Sequence, residues 1–192
     1  MIYYVMGKSA SGKDTIYREL LARCPQLAQI VPYTTRPMRE GEAEGVQYHF
    51  RTPQELEDLA KAGKVIEMRT YATVYGLWSY ATVDDGTVIP GQKDYIAIGT
   101  LESYEKIVKY FGSQAVVPIY IEVEDGLRLS RALERERRQE QPKYEELCRR
   151  FLSDQKDFSE QRLQECGIRR RYENKDLESC ISQIRDVIES GV

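Results

Sequence analysis

The stretch that decides the fold runs from residue 2 to residue 15 and reads Ile2-Tyr3-Tyr4-Val5-Met6-Gly7-Lys8-Ser9-Ala10-Ser11-Gly12-Lys13-Asp14-Thr15. Its first five residues form an apolar run with β-branched and aromatic side chains, which is typical of a buried strand. Residues 14–23 contain no glycine or proline and space their apolar residues as a helix does. The sequence therefore predicts a strand, a glycine-rich turn and a helix in this order.

The turn matches the phosphate-binding pattern G-x-x-x-x-G-K-[ST] at Gly7, Gly12 and Lys13. Glycines let backbone N–H groups converge on phosphate oxygens, the helix N-terminus adds positive potential, and Lys13 supplies a mobile charge. A plain strand-to-helix turn with an exposed lysine would explain neither both glycines nor their position. We therefore predict that ATP is bound by the loop residues Gly7, Ser9, Ala10, Ser11, Gly12, Lys13, Asp14 and Thr15.

One residue of the loop departs from the pattern, because Asp14 stands where Ser or Thr is expected. The usual hydroxyl is a ligand of Mg²⁺, and a carboxylate is also a hard oxygen ligand that Mg²⁺ accepts. We predict that Asp14 contacts the Mg²⁺ that accompanies ATP. Thr15, one position later, is the alternative hydroxyl ligand.

Composition excludes several classes of function. The chain has 192 residues and a net charge of −3, which argues against binding to nucleic acid or to a membrane surface. No apolar stretch approaches membrane-spanning length, and the N-terminus enters the first strand without the pattern of a secretory signal. The cysteines lack C-x-x-C spacing, which favours a reduced, cytoplasmic protein; they are Cys24, Cys148, Cys166 and Cys180.

Segments with strand and helix patterns alternate along the rest of the chain. Thr52-Pro53-Gln54-Glu55 is a capping box with proline at the first helical position, and Thr100 and Gly112 bracket another helix. Residues 30–50 favour antiparallel strands and loops. The predicted strands are 65–68, 95–98, 115–123 and 168–172, and the predicted helices are 55–62, 101–111, 125–138, 143–165 and 176–190. This alternation predicts a parallel sheet covered by helices on both faces.

A second motif lies between residues 33 and 50. It resembles the acceptor-binding signature of guanylate kinases, T-T-R-x-x-R-x-G-E-x-x-G-x-x-Y-x-F, and the matching residues are Thr34, Thr35, Arg36, Arg39, Gly41, Glu42, Gly45, Tyr48 and Phe50. A dianionic phosphate suits this chemistry, because arginines grip it bidentately and a phenol donates a hydrogen bond. The predicted acceptor-binding residues of this motif are Arg36, Arg39, Glu42 and Tyr48.

The resemblance implies roles for residues farther along the chain. Tyr75, followed by Gly76, would add a second phenol to the phosphate clamp, and Glu67 would accept from guanine N1–H and the exocyclic amine. Asn174 lies in a segment that resembles the loop beside the adenine of ATP. These assignments are expectations that rest on the family resemblance.

Within the segment 128–150, residues 131–135 resemble the start of the mobile lid of the same family, and Arg150 corresponds to an arginine on the returning helix. Phosphoryl transfer develops charge that needs cations delivered into a closing site, so Arg131, Arg135 and Arg150 join Lys13 as predicted catalytic residues. The alternative is that a helix rich in Arg and Glu is covered by surface ion pairs. Its placement between the expected neighbours favours the lid.

Positions that select the base depart from the family. Hydroxyl residues that hold guanine align with Pro32 or Tyr33 and with Leu77, and an acidic strand end aligns with Ala97 and Gly99. A site built on hydrogen bonds loses selectivity with its donors and acceptors. The residues for phosphate binding are therefore retained, whereas those for base binding are altered.

Together these patterns predict a single guanylate-kinase-like domain over 1–192, a three-layer α/β P-loop NTPase with a mainly parallel five-stranded sheet. We expect a core (1–32, 91–130 and 150–192), an inserted mixed β/α acceptor lobe (33–90) and a helical lid (131–149). The expected reaction is ATP-dependent phosphorylation of a nucleoside monophosphate, GMP or dGMP first, with Mg²⁺. The alternatives are a kinase of another small phosphorylated acceptor and a non-catalytic binding module. Such modules lose the phosphate-binding loop, which is present here.

Overall fold

Two sheets and seven helices organise residues 1–73 and 76–191, which the computed structural model describes. The strands are β1 Ile2–Met6, β2 Leu27–Gln29, β3 Tyr33–Thr34, β4 His49–Phe50, β5 Val65–Thr73, β6 Gly76–Val83, β7 Asp94–Gly99, β8 Val116–Glu122 and β9 Arg171–Glu173. The helices are α1 Lys13–Arg23, α2 Pro53–Lys61, α3 Leu101–Phe111, α4 Asp125–Arg137, α5 Tyr144–Asp157, α6 Glu160–Glu165 and α7 Leu177–Ser190.

The larger sheet has the order β2-β7-β1-β8-β9, and all its strand pairs are parallel. Successive residues of β1 point to opposite faces, as strand geometry requires. Tyr3 and Val5 pack with residues of α1 and α7, whereas Ile2, Tyr4 and Met6 pack with residues of α3 on the other face. Helices on both faces of a five-stranded parallel sheet confirm the predicted fold class.

Pro118 lies inside β8, where a proline removes a ladder hydrogen bond. It faces Tyr4 of β1, and the pairing of β8 with β9 begins only at Tyr120. Within the described residues, Pro118 therefore has a strand neighbour on one side alone. This geometry lets a proline occupy a buried parallel strand.

The smaller sheet has the order β4-β3-β6-β5. β6 is antiparallel to both β3 and β5, as predicted for residues 30–50 at β3. The short pairing of β3 with β4 is parallel and was not predicted. The predicted strand 65–68 extends to Thr73, because β6 supplies hydrogen-bond partners along that length.

Helix boundaries agree with the capping signals except at two places. Helix α3 has the predicted bounds, with the Thr100 hydroxyl accepting from Ser103 N. Glu124, not Asp125, caps α4, because its carboxylate accepts from two N–H groups of the first turn. The predicted helix 143–165 is interrupted at Phe158, which turns into the core and stacks on Tyr120.

None of the helices in the described part of the chain is long and apolar enough to cross a membrane.

Candidate nucleotide-binding site

The glycine-rich loop joins β1 to α1 and needs glycine at both matched positions. A Cβ on Gly7 would lie 2.6 Å from the carbonyl oxygen of Ile121. Gly12 has φ +86°, in the left-handed region, and a Cβ there would collide with the amide of Asn174. Asn174 is buried and donates from Nδ2 to Ser11 O at 2.8 Å. Close backbone packing therefore fixes the loop, and the predicted role of Asn174 toward adenine stays a prediction.

Lys13 is the first residue of α1, and its Nζ lies 3.5 Å from a carboxylate oxygen of Asp14. The Asp14 side chain is 79% exposed, so this carboxylate is accessible beside the loop. The described residues contain no cluster of three or more metal-ligating side chains. A metal here would be held by Asp14 or Thr15 together with nucleotide phosphates. That donor set fits Mg²⁺, which protein sites usually hold through one or two carboxylates and substrate oxygens.

A buried arginine, Arg128, ties the loop to helices α4 and α5. Its guanidinium donates to Asp125 and to Asp154, each at 2.9 Å, and to Ser9 O at 3.2 Å. The carbon centre of the guanidinium lies 4.3 Å from the centroid of the Phe151 ring. Sequence analysis missed this contact. Its only sequence signal is the i,i+3 spacing of Asp125 and Arg128, which many surface ion pairs share.

The same network reaches the loop backbone. Asp154 accepts from Ser9 N at 2.8 Å, and Lys8 Nζ donates to Gln155 and, at 3.4 Å, to Asp125. Two loop residues are thereby held by side chains of α4 and α5. Hydrogen bonds consequently join the loop to the start of α4 and to the end of α5.

In the acceptor motif, the two predicted arginines have different environments. Arg36 is buried and forms a bidentate ion pair with Glu42, at 2.7 and 3.0 Å. Hydrogen bonds from Arg36 lower the pKa of the Glu42 carboxyl below its ordinary value. Glu42 also accepts from Arg39 N at 2.8 Å, whereas the Arg39 side chain is exposed. The pair of Arg36 and Glu42 therefore shapes the loop that presents Arg39.

Of the two tyrosines predicted for the phosphate clamp, Tyr48 lies among the described residues. The Tyr48 ring lies 5.3 Å from the guanidinium carbon of Arg36 and 5.7 Å from the ring of Tyr80, both as centroid distances. Tyr75, the second predicted phenol, lies outside the described residues. Both tyrosines keep their clamp roles as predictions.

A cleft of about 970 Å³ separates the smaller sheet from α5. It is lined by Ser9 of the loop, Arg39 of the acceptor motif, Arg150 of α5 and the aromatic side chains Tyr71 and Tyr80. A neighbouring cavity of about 370 Å³ is lined by Ser9, Arg39, Arg135 and Arg150. Two of the three predicted lid arginines thus converge on the loop and the acceptor motif.

Arg131, the third predicted lid arginine, points elsewhere. Its Nη2 donates to the backbone oxygen of Asn174 at 3.1 Å, and the side chain of Asn174 in turn bonds to the loop at Ser11 O. It lines neither of the two cavities described above. Its catalytic role stays a prediction, and its observed hydrogen bond is to the backbone of Asn174.

Glu146 pairs with two arginines on the α5 side of the cleft. It accepts from Nε of Arg149 and from Nε of Arg150, each at 2.7 Å. Hydrogen bonds from Arg149 and then Arg150 lower the pKa of the Glu146 carboxyl to about 2. The carboxylate therefore stays ionised at physiological pH and orients Arg150 along α5.

This pKa shift predicts a pH-dependent difference in stability between the native chain and Glu146→Gln. Because the folded-state pKa is depressed from near 4.5, the stabilisation is complete above pH 4.5 and declines as the pH falls toward 2. We expect the difference in urea midpoint to be constant from pH 7 to 5 and to shrink by pH 3. Glu145→Gln, at an exposed position of the same helix, controls for the loss of one charge. A difference that does not change with pH would contradict the expectation.

The predicted guanine ligand, Glu67, is buried in β5 and already bonded. Its carboxylate accepts from Thr82 Oγ1 at 3.0 Å, from Ser103 Oγ at 3.2 Å and from Arg69 Nε at 3.1 Å. Sequence analysis did not identify Arg69, because a charged residue two positions along a strand gives no signal of pairing. The role of Glu67 in binding guanine stays a prediction.

The fold and the loop define the class of the molecule as an α/β P-loop kinase fold. Among solved structures, it is similar to the crystal structure of guanylate kinase from Anaplasma phagocytophilum, with a TM-score of 0.67 and 17% identity. That alignment covers 100% of this chain and 85% of the other, and it shows likeness of fold.

The sequence matches the family model described as guanylate kinase over residues 2–191, so the chain belongs to the guanylate kinase family. Over 76 residues it is 45% identical to the guanylate kinase of Symbiobacterium thermophilum. This aligned stretch covers 40% of this chain and 35% of the relative. Over 85 residues it is 41% identical to the guanylate kinase of Neisseria gonorrhoeae. That stretch covers 44% of this chain and 40% of the relative. The chain thus spans about a third of the length of the curated relatives it matches.

Proposed function

We propose that this protein is an ATP-dependent nucleoside monophosphate kinase whose acceptor is GMP or dGMP. The observation that carries the proposal is the cleft in which Ser9 of the phosphate-binding loop, Arg39 of the acceptor motif and Arg150 of α5 meet. Two phosphate-binding motifs that face one cleft suit the transfer of a phosphoryl group between two nucleotides. Family membership supports the same activity.

In this proposal, the loop N–H groups and Lys13 bind the ATP phosphates. Arg39 grips the phosphate of the acceptor, Tyr48 and Tyr75 donate to it, and the ion pair of Arg36 with Glu42 positions that motif. An acceptor phosphate oxygen attacks the γ-phosphorus in line, its new P–O bond forms, and ADP leaves with the electrons of the broken bond. Catalysis then consists of positioning and charge neutralisation, with no covalent enzyme intermediate.

The lid arginines complete the proposed site. Arg135 and Arg150 approach from α4 and α5 and stabilise the charge of the transferring group. Arg131 bonds to Asn174, whose side chain bonds to the loop. Mg²⁺, when bound with ATP at Asp14 or Thr15, would neutralise phosphate charge. Division into a core, an acceptor lobe over 33–90 and a lid over 131–149 remains part of the proposal.

All four cysteines are free, and the chain carries a net charge of −3. We propose on this basis a cytoplasmic enzyme that works on ATP and a nucleoside monophosphate, not on nucleic acid.

The test is a panel of monophosphates incubated with ATP and Mg²⁺, with ADP release as the readout. We expect turnover with GMP and dGMP that exceeds the rate of ATP hydrolysis without acceptor. Turnover only with another phosphorylated acceptor would contradict the choice of substrate. ATP binding without turnover of any acceptor would contradict the kinase.

Arg39→Ala is expected to raise the KM for the acceptor strongly and the KM for ATP little. A charge-assisted contact to a dianion is worth about 1.5–3 kcal/mol, so the acceptor KM should rise about 10-fold to 150-fold. Arg51→Ala is the matched control, because Arg51 belongs to the same segment but pairs with Glu44 at 2.9 Å. An equal rise of both KM values in the Arg39 variant would assign the residue a structural role.

A further inference from the structure

At the base-binding end of the proposed acceptor site, the Glu67 carboxylate is buried and fully hydrogen-bonded. Each carboxylate oxygen has a side-chain hydroxyl donor, Thr82 on one and Ser103 on the other, and Arg69 adds a third partner at 3.1 Å. The Glu67 side chain is only 2% exposed. A base that bonded to this carboxylate would have to displace donors that already satisfy it, so Glu67 is poorly available as an acceptor for guanine N1–H and its amine.

Arg69 presents the accessible polar atoms of this pair. Its side chain is 18% exposed, and its Nη1 donates to Thr100 Oγ1 at 3.1 Å, just beyond the carboxyl end of β7. A guanidinium has five N–H donors. Three are used by Glu67 and Thr100, so two have no partner among the described residues. Arg69 also lies opposite Tyr80 of β6, which lines the large cleft.

The neighbouring carboxyl end of β7 provides no carboxylate. Gly99 ends that strand, and a Cβ there would collide with the Tyr4 hydroxyl. At this strand end, where ligands of α/β folds bind, the partly exposed charged group is therefore the guanidinium of Arg69, which is a donor. A guanidinium donor selects a base edge that carries acceptors.

We propose that Arg69, not Glu67, reads the base, and that it does so through two adjacent acceptor atoms on a 6-oxopurine, O6 and N7. This inference rests on the proposed function. Arginine bonds bidentately to O6 and N7 of guanine, whereas adenine presents an N6 amino donor at the same place. The 2-amino group of guanine then makes no hydrogen bond to the protein. Hypoxanthine shares O6 and N7 with guanine, so the substrate class is 6-oxopurine nucleoside monophosphates.

Binding of nucleotides to the native chain tests this inference without a variant. Dissociation constants are measured by calorimetry for GMP, IMP, AMP, CMP and 7-deaza-GMP. We expect GMP and IMP to differ by less than about 3-fold, and AMP and 7-deaza-GMP to bind at least about 10-fold more weakly than GMP, as one lost bidentate contact requires. CMP is included because cytosine O2 and N3 are also adjacent acceptors.

The possible outcomes distinguish a failure of base recognition by Arg69 from a failure of the proposed kinase function. GMP that binds 10-fold tighter than IMP, or 7-deaza-GMP that binds as well as GMP, overturns the inference and leaves the kinase intact. CMP that binds more tightly than GMP also overturns it. No saturable binding of any nucleotide overturns both.

A pair of variants gives the second test. Arg69→Lys keeps the charge beside Glu67 but loses the planar guanidinium fork that donates two hydrogen bonds. The ratio of AMP to GMP dissociation constants should therefore fall toward 1. The melting temperature is the control for folding. Arg69→Met removes the fork and the charge together, and we expect the same fall in the ratio of AMP to GMP dissociation constants, because Thr82 and Ser103 still occupy the Glu67 carboxylate. Ratios unchanged from the native chain in a folded Arg69→Lys variant overturn the inference.

Discussion

Lys13→Ala is expected to lower kcat by at least about 100-fold to 1,000-fold while leaving the free energy of unfolding within about 0.5 kcal/mol of the native value. The reason for the first effect is charge, because Lys13 is the mobile cation of the phosphate-binding loop. The reason for the second is the environment of the side chain. Its ion pair at 3.5 Å is with Asp14, whose side chain is 79% exposed, and a pair so open to solvent stabilises the fold little.

The measurements are ADP release with saturating GMP, ATP and Mg²⁺, and a urea unfolding curve. Lys61→Ala is the matched control, because Lys61 is an exposed lysine whose ion pair with Glu57 lies on the surface of α2. We expect the control to retain both activity and stability. Native turnover in Lys13→Ala would remove the kinase proposal, and an unfolded variant would show that the lysine supports the fold.

Local sequence signals predicted the parts of the fold that depend on neighbouring residues. The loop motif, the capping threonine at residue 100 and the stop at Gly112 each describe a few consecutive residues, and the structure has all of them. Alternation of strands and helices was enough for the parallel sheet, because crossover connections require it. These features follow from backbone chemistry that operates over short distances.

Features that depend on distant residues were not predictable. The helix break at Phe158 lets the ring stack on Tyr120, 38 positions earlier in the numbering. Its only local signal is Ser159, which caps α6 inside a segment with a helical pattern. The replacement of an acidic residue by Gly99 is explained only by the Tyr4 hydroxyl that fills its space. Glu67 matched the family motif, yet its partners come from β6 and α3.

The largest expected effect on stability comes from Arg128, which no motif marked. It is 1% exposed and bonds to two carboxylates, those of Asp125 and Asp154. Removing one partner of a buried ion pair leaves uncompensated charge, which costs about 3–5 kcal/mol. We expect Arg128→Met to lose that much free energy of unfolding in urea, since methionine fills most of the space but donates no hydrogen bond.

Two variants decide whether the loss comes from the buried pair. Arg149→Met, at a position of α5 that is 65% exposed, should lose no more than about 1 kcal/mol. Adding Asp154→Asn to Arg128→Met should recover part of the loss, because an amide can still accept from Ser9 N without an unpaired charge. If Arg128→Met is no less stable than Arg149→Met, the pair does not stabilise the fold. Arg128 would then serve to connect the phosphate-binding loop to α5, and its variant should alter ATP binding and not stability.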